Sequence, residues 1–187
     1  MTTIASELRE GVRSAYSLAA ETPGARHPFP VGAAFAREVG YSGDLPDVAL
    51  DAFAGVSNVA VFADLRSDAR VLDLGCGAGL DSIVAGRRAR MVLGLDFSAA
   101  MLRRAEQAAC GGNVAFVQGD AERLPLADGS IDTALVNGIF NLNPARDAIF
   151  GELARVVRPG GAVYGAELIL REPLSAEQRG STANWFS

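Results

Sequence analysis

The sequence predicts an α/β fold: a doubly wound, mainly parallel sheet of about five strands with an N-terminal helical lid. Two observations carry this. From residue 69 onward, short β-branched runs alternate with helical patterns, the alternation that builds parallel sheets. The first of these runs also empties into a glycine-rich turn, Gly75-Cys-Gly-Ala-Gly79, at the carboxyl end of a strand, where open sheets of this kind bind ligands.

The elements follow in chain order. A first helix covers about 4–20, with Glu7, Arg9, Glu10 and Arg13 among its apolar positions, so it reads as amphipathic and not as a signal peptide. Thr22 to Pro30 holds three prolines and is loop. Two short helices fit near 46–54 and 57–65. Residues 1–68 are too interrupted for a core of their own and are expected to pack as a lid on the carboxyl edge of the sheet. Residues 69–187 carry the core, one structural domain overall. Its strands are Arg70–Leu74, Met91–Asp96, Val114–Gln118, Ile131–Val136 and Ala162–Leu168, apolar runs suited to burial on both faces. Helices are expected at 80–88, 99–109 and 145–157. The second has Ser98 as N-cap and Gly111 past its end. The third opens on Asn143-Pro144 and stops at Arg158-Pro-Gly-Gly161. Gly151 inside it costs about 1 kcal/mol of helix propensity.

Composition removes several function classes. With 187 residues, 49% apolar and 21% charged, the chain can bury a sizeable core and is not disordered. The net charge of −5 and the lack of any basic tract leave no electrostatic grip on nucleic acid or anionic lipid. No apolar run is long enough to span a membrane. Cys76 and Cys110 lack a paired spacing, and the single histidine, His27, lies far from both, so no metal site is expected and the chain reads as reduced and cytoplasmic.

The acidic residues after the glycines narrow the ligand. A dinucleotide fingerprint would place its third glycine at position 80, which is Leu80; here it falls at Gly79, and Asp73 stands two residues before the first glycine. A carboxylate there suits an ammonium group and would repel a pyrophosphate. Asp96 ends the second strand, where a carboxylate accepts from both ribose hydroxyls. Asp120, after the third strand, is placed to take an exocyclic amine of adenine. Together the three match an adenosyl ligand with a cationic amino-acid tail, S-adenosylmethionine.

Over residues 69–170 the chain resembles the class I S-adenosylmethionine-dependent methyltransferases, with their Rossmann-like core. Gly40-Tyr-Ser42, Gly55-Val-Ser-Asn58, Asp73 to Asp81, Leu124-Pro-Leu126 and Val136 to Leu142 resemble the arsenite methyltransferases in particular. That resemblance assigns Asp73, Gly75, Cys76, Gly77 and Gly79 to the loop at the methionine end, and Asp96, Phe97 and Met101 to ribose and adenine. It assigns Asp120 and Ala121 to the adenine edge, Asn137 to the border of the cleft, and Tyr16 to closure over the cofactor. The product would be S-adenosylhomocysteine.

The resemblance stops at the metalloid. Where the family carries two of its arsenic-binding cysteines, this chain reads Val56-Ser57 and Asn137-Gly138; the third belongs beyond residue 187. Neither Cys76 nor Cys110 replaces them, so arsenite is not the expected substrate. His27 reads as an exposed loop residue, Asn143 as a cap, and Phe29, Tyr41, Phe140 and Trp185 as core more readily than pocket. About 17 residues follow Leu170, without the class's usual C-terminal antiparallel strands, so strand five is an edge that a second chain or the N-terminal segment would cover. The expected activity is methyl transfer to a small molecule, with a non-catalytic binding module as the alternative and a homodimer through the uncovered edge as the partner expectation.

Overall fold

The computed structural model describes residues 4–109 and 112–169. Four helices come first: α1 (Ile4–Glu21), α2 (Ala33–Glu38), α3 (Asp47–Leu50) and α4 (Val59–Phe62). Strands and helices then alternate through β1 (Arg70–Leu74), α5 (Leu80–Gly86), β2 (Met91–Asp96), α6 (Ala99–Ala108) and β3 (Val114–Gln118). The described chain ends with β4 (Ile131–Asn137), α7 (Arg146–Val156) and β5 (Val157–Ala166). The five strands form one sheet in the order β3-β2-β1-β4-β5, every pair parallel. Winding therefore reverses between β1 and β4, which places a crevice at their carboxyl ends.

Side-chain alternation sends the strands' two faces to different helices. Leu72, Leu74, Leu95 and Ala134 pack with Ile149 and Leu153 of α7. On the other face Val71, Val92 and Leu135 pack with Val59 and Ala60 of α4 and Ala85 of α5. The double burial expected of all five strands holds for β1, β2 and β4 but not for β3 and β5, which lie at the sheet edges. Among the described residues nothing pairs with the outer edge of β5. The N-terminal segment joins the same body: Tyr41, Leu45, Leu50 and Phe53 pack with Leu80 and Ala108, and Ala19 and Ala20 of α1 pack with Ala100 and Met101.

Several boundaries differ from the sequence reading. The helices expected at 46–54 and 57–65 shorten to single turns, and α2 follows Gly32, whose φ is 110°, in a stretch without a helical expectation. Ser98 caps α6 as expected, accepting from the Met101 amide at 3.3 Å; Cys110, Gly111 and Trp185 lie outside the described residues. Asn143 is not the cap of α7, which is Ala145; its Oδ1 accepts from the Ala145 amide at 2.7 Å, a turn one step upstream. The largest correction is β5. It begins at Val157, not Ala162, because Val157 pairs with Ile131 before Arg158–Gly161 bulge out and pairing resumes at Ala162. Asp132 fixes this bulge, accepting from Arg158 Nε at 2.5 Å and from the Arg70 amide at 2.7 Å. The Pro-Gly-Gly sequence that reads as a stop is a bulge inside a strand, where proline and a left-handed glycine are tolerated.

Gly79 caps α5 in the left-handed region, φ 83°, and a Cβ there would lie 2.9 Å from Ala105 Cβ and 3.0 Å from the Phe116 ring. Gly79→Ala is expected to destabilise the fold by about 2–4 kcal/mol, combining left-handed backbone strain with overpacking, read as a lower urea midpoint at unchanged slope.

Candidate functional site

A cleft of about 1050 Å³, counted out to its open mouth, runs along the carboxyl ends of the strands. Its floor is the β1–α5 loop. Gly75 and Gly77 adopt φ of 73° and 52°, and the Gly75 and Cys76 amides both donate to the Leu95 carbonyl, so the loop folds back onto the end of β2. The Ile139 side chain touches the Cα side of Gly75, leaving no room for a Cβ. Glycine is required here by both backbone and contact.

Three carboxylates are buried along this floor: Asp73, Asp81 and Asp96, at 1%, 6% and 6% exposure. Asp73 accepts from Ser82 Oγ at 2.6 Å. Burial first, then the Asp81 charge beside it, pushes its carboxyl well above the ordinary range. Asp96 accepts from the Gly77 amide at 2.9 Å and the Ser98 amide at 2.8 Å, one on each oxygen. Its burial lifts the carboxyl to about 6 even against those amides. Asp81 takes three donors: Tyr41 hydroxyl at 2.6 Å, Ala60 amide at 2.7 Å and Asn137 Nδ2 at 2.8 Å. Burial and the neighbouring Asp96 and Asp73 charges raise the Cys76 thiol, which stays protonated and is no nucleophile.

Of the twelve residues singled out from the sequence, the structure brings eleven to the cleft: Tyr16, Asp73, Gly75, Cys76, Gly77, Asp96, Phe97, Met101, Asp120, Ala121 and Asn137. Gly79 is not among its lining residues and serves helix packing instead. Tyr16 reaches over from α1, stacked on Phe29 at 4.6 Å; burial and then the Asp96 charge raise its hydroxyl, which remains a donor. Two expected residues are already engaged. The Asp120 carboxylate meets Arg9 of α1, which also lies 3.3 Å from Glu122, and its Oδ1 accepts from the Glu122 amide at 3.0 Å. Asn137 makes four hydrogen bonds: its oxygen accepts from the Val56 and Ser57 amides and its nitrogen donates to the Ser57 carbonyl and Asp81. A Cβ at Gly55 would strike it at 2.7 Å. Phe29, Tyr41 and Phe140 do not line the cleft, and His27 Nε2 donates to the Thr22 carbonyl, 3.0 Å away.

The sequence reading missed Arg9 and Asp81. Arg9 looks like any charge on an amphipathic helix. Asp81 falls in the first turn of α5, where an acid is explained by the helix dipole alone. No metal-binding cluster of His, Cys, Asp or Glu occurs among the described residues, and no described helix is long and apolar enough to cross a membrane.

The glycine floor and its acidic rim occur in a family context. Residues 71–161 match the methyltransferase domain family. This is a class I methyltransferase fold. The chain is 33% identical over 146 residues to an arsenite methyltransferase of Halobacterium salinarum, covering 72% of this chain and 37% of that protein. It is 42% identical over 103 residues to a demethylmenaquinone methyltransferase of Beutenbergia cavernae, covering 54% and 42%. The crystal structure of an arsenic(III) S-adenosylmethionine methyltransferase from Chlamydomonas reinhardtii superposes with a TM-score of 0.64 at 28% identity, over 73% of this chain and 50% of that one. The chain thus spans between 37 and 51% of the length of its curated relatives. The likeness to class I S-adenosylmethionine-dependent methyltransferases, arsenite methyltransferases among them, holds across sequence and fold.

Asp81→Ala is expected to strand three buried donors and destabilise the protein by about 3–5 kcal/mol, whereas Tyr41→Phe, losing one partner, costs about 1–2 kcal/mol. Urea denaturation ranks the two, and hydrogen exchange should show the Ala60 amide losing protection in Asp81→Ala.

Proposed function

We propose that this methyltransferase domain binds S-adenosylmethionine in the cleft and transfers its methyl group to a small molecule. The observation that carries the reading is the succession of carboxylates at the ends of β1, β2 and β3, over a loop whose glycines leave room for a ligand's backbone approach. Asp73 would hold the ammonium, Asp96 the ribose hydroxyls, and Asp120 with Ala121 the adenine edge. Gly75, Cys76 and Gly77 would cradle the methionine end, and Phe97 and Met101 would flank the base. Tyr16 would close over it from α1, with residues 1–68 as lid on a core of 69–187. The fit is chemical: the ligand's ammonium and ribose hydroxyls would meet the acceptors that Asp73 and Asp96 present. Bound there, S-adenosylmethionine would supply an electrophilic methyl carbon on a sulfonium, with neutral-thioether S-adenosylhomocysteine as the leaving group for an acceptor lone pair placed in line. The chain's own part is positioning and exclusion of water. The methyltransferase relatives support this cofactor, and their differing acceptors leave the substrate to the residues around it. We further assign the protein to the cytoplasm and the edge of β5 to self-association.

Calorimetry should detect saturable S-adenosylhomocysteine binding, weakened at least tenfold by Asp96→Ala; absence of binding below about millimolar would sink the assignment. Ribose hydroxyls donate to the ionised carboxylate, so ligand binding lowers the pKa of Asp96 from about 6. Affinity should therefore rise as pH increases toward 6, and Asp96→Ala should remove that component. Turnover is tested by S-adenosylhomocysteine formation in a metabolite screen.

Arsenite is expected to bind at least about 100-fold more weakly than to a competent arsenite methyltransferase, since lost thiolate contacts of about 2.7 kcal/mol suffice for that factor. Val56 lies 3.0 Å from where a Gly138 Cβ would sit, so the two positions form an apolar contact without sulfur. Titration of reduced protein, read by thiol–arsenic absorbance, checks this; saturation at micromolar arsenite, with methylated arsenic appearing when cofactor is added, would restore the metalloid as substrate.

A further inference from the structure

The cofactor reading uses the carboxyl ends of β1, β2 and β3. The cleft is also lined by Phe53 and Ala54 of the N-terminal segment and by Ile139, Leu142 and Ile149 from the segments after β4. Ile139 touches Gly75, so this apolar wall begins where the cofactor loop ends. Each polar side chain in this half is already bonded inside the protein. Asn137 makes its four hydrogen bonds to residues 56, 57 and 81. Asp81 is held by Tyr41, Ala60 and Asn137. Asn143 accepts from the Ala145 amide at 2.7 Å and donates to Glu122 at 3.0 Å. Arg9 at the mouth is paired with Asp120 and Glu122. Among the residues that line this half, no side chain offers an incoming acceptor an unpaired charge.

We propose, resting on the methyltransferase reading, that the acceptor has a neutral, apolar body recognised by van der Waals contact with this wall. Three physical terms favour it. Apolar area removed from water stabilises by about 25 cal/mol per Å². An anion entering would be desolvated beside Asp73, Asp81 and Asp96. A cation would find those carboxylates committed, Asp73 and Asp96 to the cofactor and Asp81 to its three donors. Selectivity thus comes from what the wall cannot solvate.

The test uses the full chain saturated with S-adenosylhomocysteine, whose own binding is measured first. Naphthol, naphthalenesulfonate and naphthylmethylammonium, which share one ring body and differ in charge, are then titrated at neutral pH by calorimetry. Naphthol is expected to bind saturably and at least tenfold tighter than either ion. Leu142→Asp should weaken naphthol at least tenfold while S-adenosylhomocysteine affinity stays within threefold, which also reports that the variant is folded. Equal or tighter binding of either ion, no saturable naphthol binding, or a Leu142→Asp protein that keeps its naphthol affinity would each overturn the inference. Failure of S-adenosylhomocysteine itself to bind would instead overturn the methyltransferase reading.

Discussion

Asp81 is the point through which the two halves of this molecule are fastened. A carboxylate almost fully removed from water is costly unless its oxygens are filled, and here three donors from three separate segments fill them. Tyr41 belongs to the loop after α2, Ala60 to the single turn of α4, and Asn137 to the end of β4. Asn137 in turn grips the backbone of Val56 and Ser57. Short helices of four residues have little stability of their own. They hold their place because this network and the packing of Tyr41 and Phe53 on Leu80 hold it for them.

The same fastening explains the electrostatics of the cleft. Asp73 lies close enough to Asp81 for each charge to bear on the other, and neither has a described cation at hand. Asp96 sits beyond them on the glycine loop. Three buried acids on one floor make a site that is strained while empty of positive charge, which is a reason for a ligand to carry one. Arg9 is at the far end, where the pairs with Asp120 and Glu122 are half-exposed and correspondingly weak.

Much of this was legible from the sequence, for a physical reason. Strand–glycine–helix junctions follow local rules, so β1 to β3, the caps at Ser98 and the carboxylates at strand ends could be read directly. What escaped depended on distant partners. Nothing near Asn137 in sequence reveals that it clamps residues 80 positions away. The Pro-Gly-Gly segment obeys the rule for a helix stop, but Asp132 and the β4 edge draw it into a strand. Gly79 reads from the sequence as a loop residue, and only the fold shows that Ala105 and Phe116 leave its Cα no room for a side chain. Asp120 reads as a vacant acceptor until Arg9, 111 positions earlier, is brought beside it.

The all-parallel sheet has a consequence for how the cleft comes into being. No two of its neighbouring strands are joined by a hairpin, and Arg70 of β1 meets Asp132 of β4 across 62 positions. Loop-closure entropy for such contacts is lost before their pairing energy is gained, which slows folding. The two walls of the cleft stand on opposite sides of that junction, the glycine loop after β1 and the Ile139 segment after β4. The pocket is therefore not a local structure that other elements decorate; both its walls depend on the strand pairing that is most distant in sequence among the described residues.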